Sequence, residues 1–363
     1  MSPGGVKQDP AFSEIKRLCH SGRGGPELLR AVAERLRQRL SSEAYCASTV
    51  DPGSALITHA LTGEMGGERE AAVFLDHLYF EHDLDQIRRM TRERRPVALL
   101  SELSGGDITR SPRYREMLRP LGLAHEMRAV FTAGGHVWGT LDLSREAGRP
   151  DFEPREVAFV RRLAPHLGAG LKAAALRSQA LAEGRTGTGA PGVLVLDHRG
   201  RVTHYTAAAE RWLAEIEDLK PGWSESQDLP PAVRMVAGAL RRALRPENAG
   251  DLDLLPRLNV RARSGRWLSL YGSLSEGLPA EAVIVIGPAG PGEVVRFNMA
   301  AYGLTPREAE VATLAAQGAS TREISASLYI SGYTVQNHLC NAFEKVGVKS
   351  RRELTRRLFL DGL

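Results

Sequence analysis

At 363 residues the chain is long enough for two or three domains that each bury a real core. Hydrophobic residues at 42% and charged residues at 25% argue against a disordered chain, and a net charge of +5 is too small to name a nucleic-acid partner by itself. Cys19, Cys46 and Cys340 are widely spaced and contain no C-x-x-C pair, which argues against a disulfide scaffold or a zinc site and for a reducing compartment. The opening residues, MSPGGVKQDP, lack a basic stretch followed by an apolar core, and no run of eighteen apolar residues occurs. A soluble, cytoplasmic protein with no membrane partner is expected.

Leu28, Leu29, Val32, Leu36 and Leu40 follow helical spacing from Pro26 to Leu40, and Ala44 to Val50 reads as a strand. In Asp76 to Asp85, DHLYFEHDLD, His77 and Glu81 are four apart, as two metal ligands on one helix face would be. An amphipathic helix burying Leu78 and Tyr79, with its charged side in water, accounts for the same pattern and is the reading taken. Met127 to Leu143 holds two alternating runs around Ala133, Gly134 and Gly135 and predicts a hairpin. Asp151 to Leu176 predicts a long helix with Val157, Val160, Ala164, Leu167 and Leu171 on one stripe and a kink at Pro165. Helix, strands, helices, hairpin and closing helix make an α+β unit. In that order it resembles a GAF domain, over residues 11–178. The resemblance implies an antiparallel sheet with a cavity under a helical lid, which either takes a small-molecule ligand or is filled core.

Glu183 to Gly192, EGRTGTGAPG, has the composition of a flexible linker. Val193–Leu196 and Arg201–Tyr205 read as a hairpin around Asp197 to Gly200. Helices are expected at Ala207–Leu219 and Pro231–Leu244, then strands at Leu258–Arg263, Arg266–Leu270 and Ala282–Ile286. This order of elements resembles a PAS domain over residues 190–288, a second place where a small molecule could sit. Ala289 to Glu293, AGPGE, is expected to be a linker. The aromatics Phe74, Tyr79, Phe80, Trp138, Tyr205, Trp212 and Trp267 are read as core.

The last segment carries the sharpest pattern. Thr305 with Glu308, Ser320 with Glu323, and Ser350 with Glu353 are Ser/Thr-x-x-Glu capping boxes, each placing a helix start, and Pro306 suits a first helical position. A further helix from about Tyr333 to Val346 follows from Val335, Leu339, Phe343 and Val346 on one stripe, with Gly347 as its cap. Thr334, Gln336, Asn337, Cys340, Asn341 and Lys345 are then left on its outer faces. Gln and Asn can present a donor and an acceptor together to adenine in the major groove. Lys345, Lys349, Arg351, Arg352, Arg356 and Arg357 crowd the C-terminal end, where a phosphate footprint is expected. Leu354, Leu358 and Phe359 offer an apolar contact for a second copy.

LTPREAEV, A-S-T-R-E-I-S, I-S-x-x-T-V-x-x-H and K-V-G-V-K-S-R-R-E-L together resemble the LuxR-type DNA-binding domain, over residues 298–363. The resemblance implies a scaffold helix from Ser320 to Leu328, with Ser320, Thr321 and Arg322 at its start, and a recognition helix from Tyr333 to Val346. Base-facing positions then fall on Gln336, Asn337 and Cys340, while Thr334 and Lys345 are backbone contacts. The family often carries Lys where Gln336 and Cys340 stand here. His338 falls in T-V-x-x-H and is read as a packed helix residue.

No G-x-x-x-x-G-K-[ST], G-x-S-x-G or H-E-x-x-H pattern occurs, and no receiver-domain alternation precedes the last segment. The expected architecture is two α+β sensor domains, GAF-like then PAS-like, followed by an all-α LuxR-type helix-turn-helix. The expected function is a transcriptional regulator, not an enzyme, that binds double-stranded DNA as a homodimer and is modulated by its sensor domains. No cofactor or metal is named by the sequence. Two rivals stay open: a sensory enzyme or metal-dependent protein with its chemistry in the first domain, and a partner-binding regulator without specific DNA readout.

Overall fold

The computed structural model describes residues 9–63, 83–180, 189–216, 229–243, 256–275 and 281–360. Two stretches of short strands build two five-stranded antiparallel sheets. The first is made of β1 (Ala44–Val50), β2 (Ile57–Gly63), β3 (Val97–Leu99), β4 (Leu123–Ala133) and β5 (His136–Glu146), in the order β2-β1-β5-β4-β3. The expected β4–β5 hairpin turns at Gly134 and Gly135, whose φ values of 61° and 82° suit a two-residue hairpin turn that side chains resist. Period-2 alternation sends Met127, Ala129 and Phe131 to one face of β4, and Glu126, Arg128 and Val130 to the other.

The first face packs against α1 (Pro10–Cys19), α2 (Gly25–Leu40) and α4 (Pro154–Ala180), with Leu28, Val32, Leu36, Val160, Leu163 and Leu167 in one core. The other face adjoins α3 (Asp83–Arg92) and carries a buried ion cluster. Arg113 reaches both oxygens of Glu126 at 2.7 Å and Asp142 at 3.2 Å. Arg128 reaches Asp142 at 2.8 Å and Gln86 Oε1 at 2.7 Å. Burial raises the pKa of Glu126 against the pull of Arg113. Such a cluster is sustained only because each charge has a partner. His77, Glu81, Phe74, Tyr79 and Phe80 lie outside the described residues. The described residues hold no group of three or more His, Cys, Asp or Glu side chains placed for a metal, and no helix long and apolar enough to cross a membrane.

The second sheet repeats the connectivity of the first. It comprises β6 (Gly192–Leu196), β7 (Val202–Tyr205), β8 (Arg257–Arg261), β9 (Trp267–Leu274) and β10 (Ala282–Pro288), in the order β7-β6-β10-β9-β8. Between β7 and β8 come α5 (Ala207–Ile216) and α6 (Pro231–Ala243). In α6, Ala232, Val233, Met235, Val236, Ala237 and Leu240 are all buried, more than one stripe can hold. The reason is that α6 lies between β9 of its own sheet and β2 of the first. Gly272 on β9 makes this fit possible, since a Cβ there would sit 2.7 Å from Leu240 Cδ1 and Val236 Cγ1. Most of the linker expected at Glu183–Gly192 lies outside the described residues, and Gly192 already belongs to β6.

The stretch expected as a second linker, Ala289–Glu293, is corrected by the structure: a helix, α7 (Pro291–Ala301), starts within it. The cause is tertiary. Residues two apart on a helix point about 200° apart, so Val295 and Met299 face one way and Phe297 and Ala301 the other. The first pair packs with Leu304, Ala312, Ala342, Val346, Leu354 and Leu358; the second joins the core of the first domain. Phe297 meets Trp138 of β5 edge-on at 6.0 Å between centroids and Trp267 of β9 at 4.6 Å. Beside it, Gly134 and Gly303 approach so closely that a Cβ on Gly134 would sit 3.1 Å from Gly303 Cα, and His136 bridges the carbonyls of Pro52 and Leu304.

Leu354 and Leu358, expected to offer an apolar surface to a second copy, are each 1% exposed beneath α7. They are consumed within the chain, and the Phe359 side chain is outside the described set. Because Phe297 is 4% exposed and fills the junction of three elements, Phe297→Ala is expected to cost about 3–5 kcal/mol. Urea unfolding followed by tryptophan fluorescence checks this, with Phe297→Leu expected to lose less.

Candidate nucleic-acid interface

After α7 come α8 (Pro306–Ala316), α9 (Thr321–Leu328), α10 (Gly332–Val346) and α11 (Arg351–Thr355). Two of the expected capping boxes close in both directions. Thr305 Oγ1 accepts from Glu308 N and Glu308 Oε2 accepts from Thr305 N at 2.8 Å, while Ser320 and Glu323 repeat the exchange. The third closes differently: Ser350 Oγ accepts from Glu353 N at 3.2 Å, but Glu353 Oε2 takes the N–H of Lys349. All three helix starts expected from these pairs are observed.

Tyr329 ends α9 in the left-handed region at φ 54°, and Ser331 starts α10 by accepting from Thr334 N at 3.0 Å. Val335, Leu339 and Val346 are buried as expected; Ala342 joins them, while Phe343 is half-buried between two small apolar clusters. Gly347 caps the helix at φ 75°. His338 is half-buried within α10, in keeping with a packed helix residue.

The buried stripe leaves one open face. Gln336, Asn337, Cys340, Asn341 and Lys345 are exposed, and Thr334 is half-buried with its hydroxyl 2.8 Å from Ser331 Oγ. Gln336 Nε2 donates to Thr321 Oγ1 at 3.0 Å, so the outer face of α10 is tied to the start of α9. Arg351 completes that tie, donating to Thr321 Oγ1 at 2.8 Å and to the Ala319 carbonyl at 2.9 Å. Asn337, Cys340 and Asn341 make no side-chain hydrogen bond among the described residues, and Ser320 and Arg322 lie exposed beside them at the head of α9. Lys345 differs. Its Nζ lies 2.6 Å from Glu308 Oε2, a carboxylate 5% exposed, so its charge is answered inside the domain. Burial works to raise the Glu308 pKa, yet the Lys345 hydrogen bond and the Thr305 N–H outweigh it and hold the carboxyl below the usual range.

The sequence places Arg351 only in the expected phosphate footprint and assigns no site role to Tyr329 or Tyr333, whereas in the structure Arg351 ties the start of α9 to α11. Arg351 is separated from Thr321 by thirty positions, and no local pattern links them. Tyr333 is 77% exposed and Tyr329 95% exposed at the turn before α10. The position of Tyr333 off the Val335–Leu339 stripe is the available signal, since it leaves an aromatic ring open to solvent.

Residues 303–358 match the family described as bacterial regulatory proteins, luxR family, and residues 26–171 match the GAF domain. The chain is 50% identical over 50 residues to the spore germination protein GerE of Bacillus subtilis (strain 168), covering 14% of this chain and 68% of that protein. It is 48% identical over 56 residues to the transcriptional regulatory protein UhpA of Escherichia coli (strain K12), covering 15% of this chain and 29% of that one. Among solved structures, a GAF domain/HD domain protein from Geobacter sulfurreducens is matched over 46% of this chain and 98% of that one, at 17% identity and a TM-score of 0.32. The chain belongs to the luxR family of bacterial regulatory proteins, DNA-binding transcription regulators, and carries a GAF domain ahead of its helix-turn-helix.

Proposed function

We propose that α10 reads base edges in the major groove of promoter DNA and that α9 positions it. The observation that carries this is the open face of α10: Gln336, Asn337, Cys340 and Asn341 stand together, exposed and uncharged, opposite a buried stripe. Uncharged amides can discriminate bases, whereas positive charge alone holds phosphates without reading sequence. Ser320, Thr321, Arg322 and Thr334 border that face and take the backbone-positioning role. Lys345 lies at its far end, its charge shared with Glu308.

We read the middle unit as PAS-like, supported by a sheet of order β7-β6-β10-β9-β8 with α5 and α6, among the described residues, between β7 and β8. Both upstream units act on the DNA-reading domain through α7, whose residues enter both cores. The protein binds and does not catalyse. A homodimer reading two half-sites belongs to the same proposal, but its contact is not the Leu354–Leu358 stripe, which is buried.

Selection from a random DNA pool by the purified protein is expected to enrich one sequence whose half-site centres lie roughly 10 base pairs apart or a multiple of it. Failure to enrich any sequence would overturn the groove reading, and a single unrepeated half-site would overturn the dimer. Gln336→Ala or Asn337→Ala should relax preference at particular base pairs by about 1–3 kcal/mol. Lys345→Ala should lower the melting temperature, because it leaves the Glu308 carboxylate without its cation. The slope of log affinity against log salt should then change by less than the roughly 0.9 expected for a lost phosphate contact.

Cys340 supplies a geometric test. Cys19 and Cys46 are buried, and burial pushes the Cys19 thiol up to about 11, so alkylation of the native chain should fall on exposed Cys340. A groove about 12 Å wide just admits a helix, so the adduct is expected to abolish specific binding, while Cys340→Ser keeps most of it. Unchanged affinity of the fully modified protein would show that this face is turned away from DNA.

A further inference from the structure

One aromatic side chain stands on the face of α10 that the buried stripe turns outward. Tyr333 is 77% exposed, and its hydroxyl makes no hydrogen bond among the described residues. Exposure of a single tyrosine says little, because much of any folded surface is apolar. Its position says more. Successive helix residues are turned by about 100°, so Tyr333, Asn337, Cys340 and Glu344 fall on one stripe. That stripe lies opposite Val335, Leu339, Ala342 and Val346, all of them buried.

The rotation of α10 is fixed independently at its start. A Cβ on Gly332 would lie 3.8 Å from Thr321 Cγ2, and Gln336 Nε2 donates to Thr321 Oγ1 at 3.0 Å, so these two positions, one turn apart, both face the head of α9. Tyr333 and Asn337 each follow one of them by a single residue. They are therefore turned away from α9 and are neighbours on the open face, where both are exposed. Ser331 caps the helix through Thr334 N and sets Tyr333 in the first turn. The two ends of the stripe differ in charge: Glu344 closes it with an exposed carboxylate that phosphates repel, whereas the first turn carries no acid. In a helix-turn-helix the N-terminal residues of the second helix contact base edges. Tyr333 occupies that end.

We propose that Tyr333 is a specificity-determining residue, its ring packing on the 5-methyl group of a thymine in the recognised sequence. The inference rests on α10 being the reading helix. The choice of thymine follows from the groove, whose donors and acceptors suit the amides of Gln336, Asn337 and Asn341 and whose apolar group is the thymine methyl. A phosphate contact through the hydroxyl is the competing role. It fits the geometry less well, because phosphates flank the groove while Tyr333 shares its stripe with Asn337 and Cys340. Tyr329, 95% exposed, ends α9 before α10 begins and lies off this stripe.

The probe is the duplex that the full-length wild-type chain enriches from a random pool, with each thymine replaced in turn by deoxyuridine, which lacks only the methyl group. Affinity is read from the fluorescence anisotropy of the labelled duplex. Wild type is expected to lose about fourfold at one thymine position, the scale of burying one methyl-sized group. Tyr333→Ala should bind the thymine duplex more weakly and show no further loss with deoxyuridine at that position. Tyr333→Phe should keep the fourfold loss, since the ring and not the hydroxyl makes the contact. Circular dichroism establishes that both variants are folded, and the deoxyuridine scan of wild type needs no variant. The proposal is overturned if no deoxyuridine substitution weakens wild type, if Tyr333→Ala stays as sensitive as wild type, or if Tyr333→Phe loses affinity as Tyr333→Ala does. In each of those cases the enriched sequence is still bound, so the base-reading role of α10 stands and the role of Tyr333 alone fails. If the pool yields no enriched sequence, the base-reading role itself fails and the assignment of Tyr333 goes with it.

Discussion

The burial of Phe297 between two tryptophans from different sheets is the contact on which the arrangement of the whole chain depends. An eleven-residue stretch that opens on Pro and Gly would be a connector if left in water. It becomes α7 because a helix places Val295 and Met299 opposite Phe297 and Ala301, and both sides find apolar partners. Burying both faces offsets the conformational entropy that a free linker would retain. The DNA-binding helices are therefore held against the GAF domain and the second sheet by a packed core. Any displacement of α7 must disturb that core on one side or the other.

The two sheets are joined in the same manner. Helix α6 is buried against its own sheet and against β2, so the apolar core runs continuously from the first unit into the second. On the face of β4 and β5 that adjoins α3 the chain takes a different course, spending Arg113, Glu126, Arg128 and Asp142 on one another. A hydrophobic filling of that volume would serve stability as well or better. The cluster instead ties three segments together, because the Arg113–Glu126 and Arg128–Asp142 pairs form only when β4, β5 and the Arg113 segment are in register.

In the helix-turn-helix the division of labour is between helix ends and helix faces. Backbone donors at the starts of α8, α9 and α10 are met by Thr305, Ser320 and Ser331, so the helices need little help from their exposed surfaces. That frees Asn337, Cys340 and Asn341 from internal bonds. Gln336 is steadied by Thr321, which Arg351 holds in turn, so the side chain at the head of α10 is already oriented, as the proposed base-reading role would use. Orientation of this kind reduces the entropy lost on binding.

Local chemistry determined a great deal about this protein from sequence alone. Caps, glycine turns and apolar spacing fix elements over short distances, which is why α8 to α10, the Gly134–Gly135 hairpin, β1 and the strands of the second sheet are legible, whereas β2 and the three-residue β3 carry no local pattern that announces them. So was the open face of α10, since periodicity alone says which side of an amphipathic helix is buried. Contacts between residues far apart in the chain were decided only by the tertiary structure. Ala289–Glu293 reads as a linker because the helix that starts in it is held by contacts of Val295, Phe297, Met299 and Ala301 with residues outside the segment, from Trp138 to Leu358. Leu354 and Leu358 looked available because nothing local announces that α7 covers them. Lys345 looked free for phosphate until folding brought it 2.6 Å from Glu308, thirty-seven positions earlier. Short-range patterns record what a segment can bury, and only the folded chain settles what it is buried against.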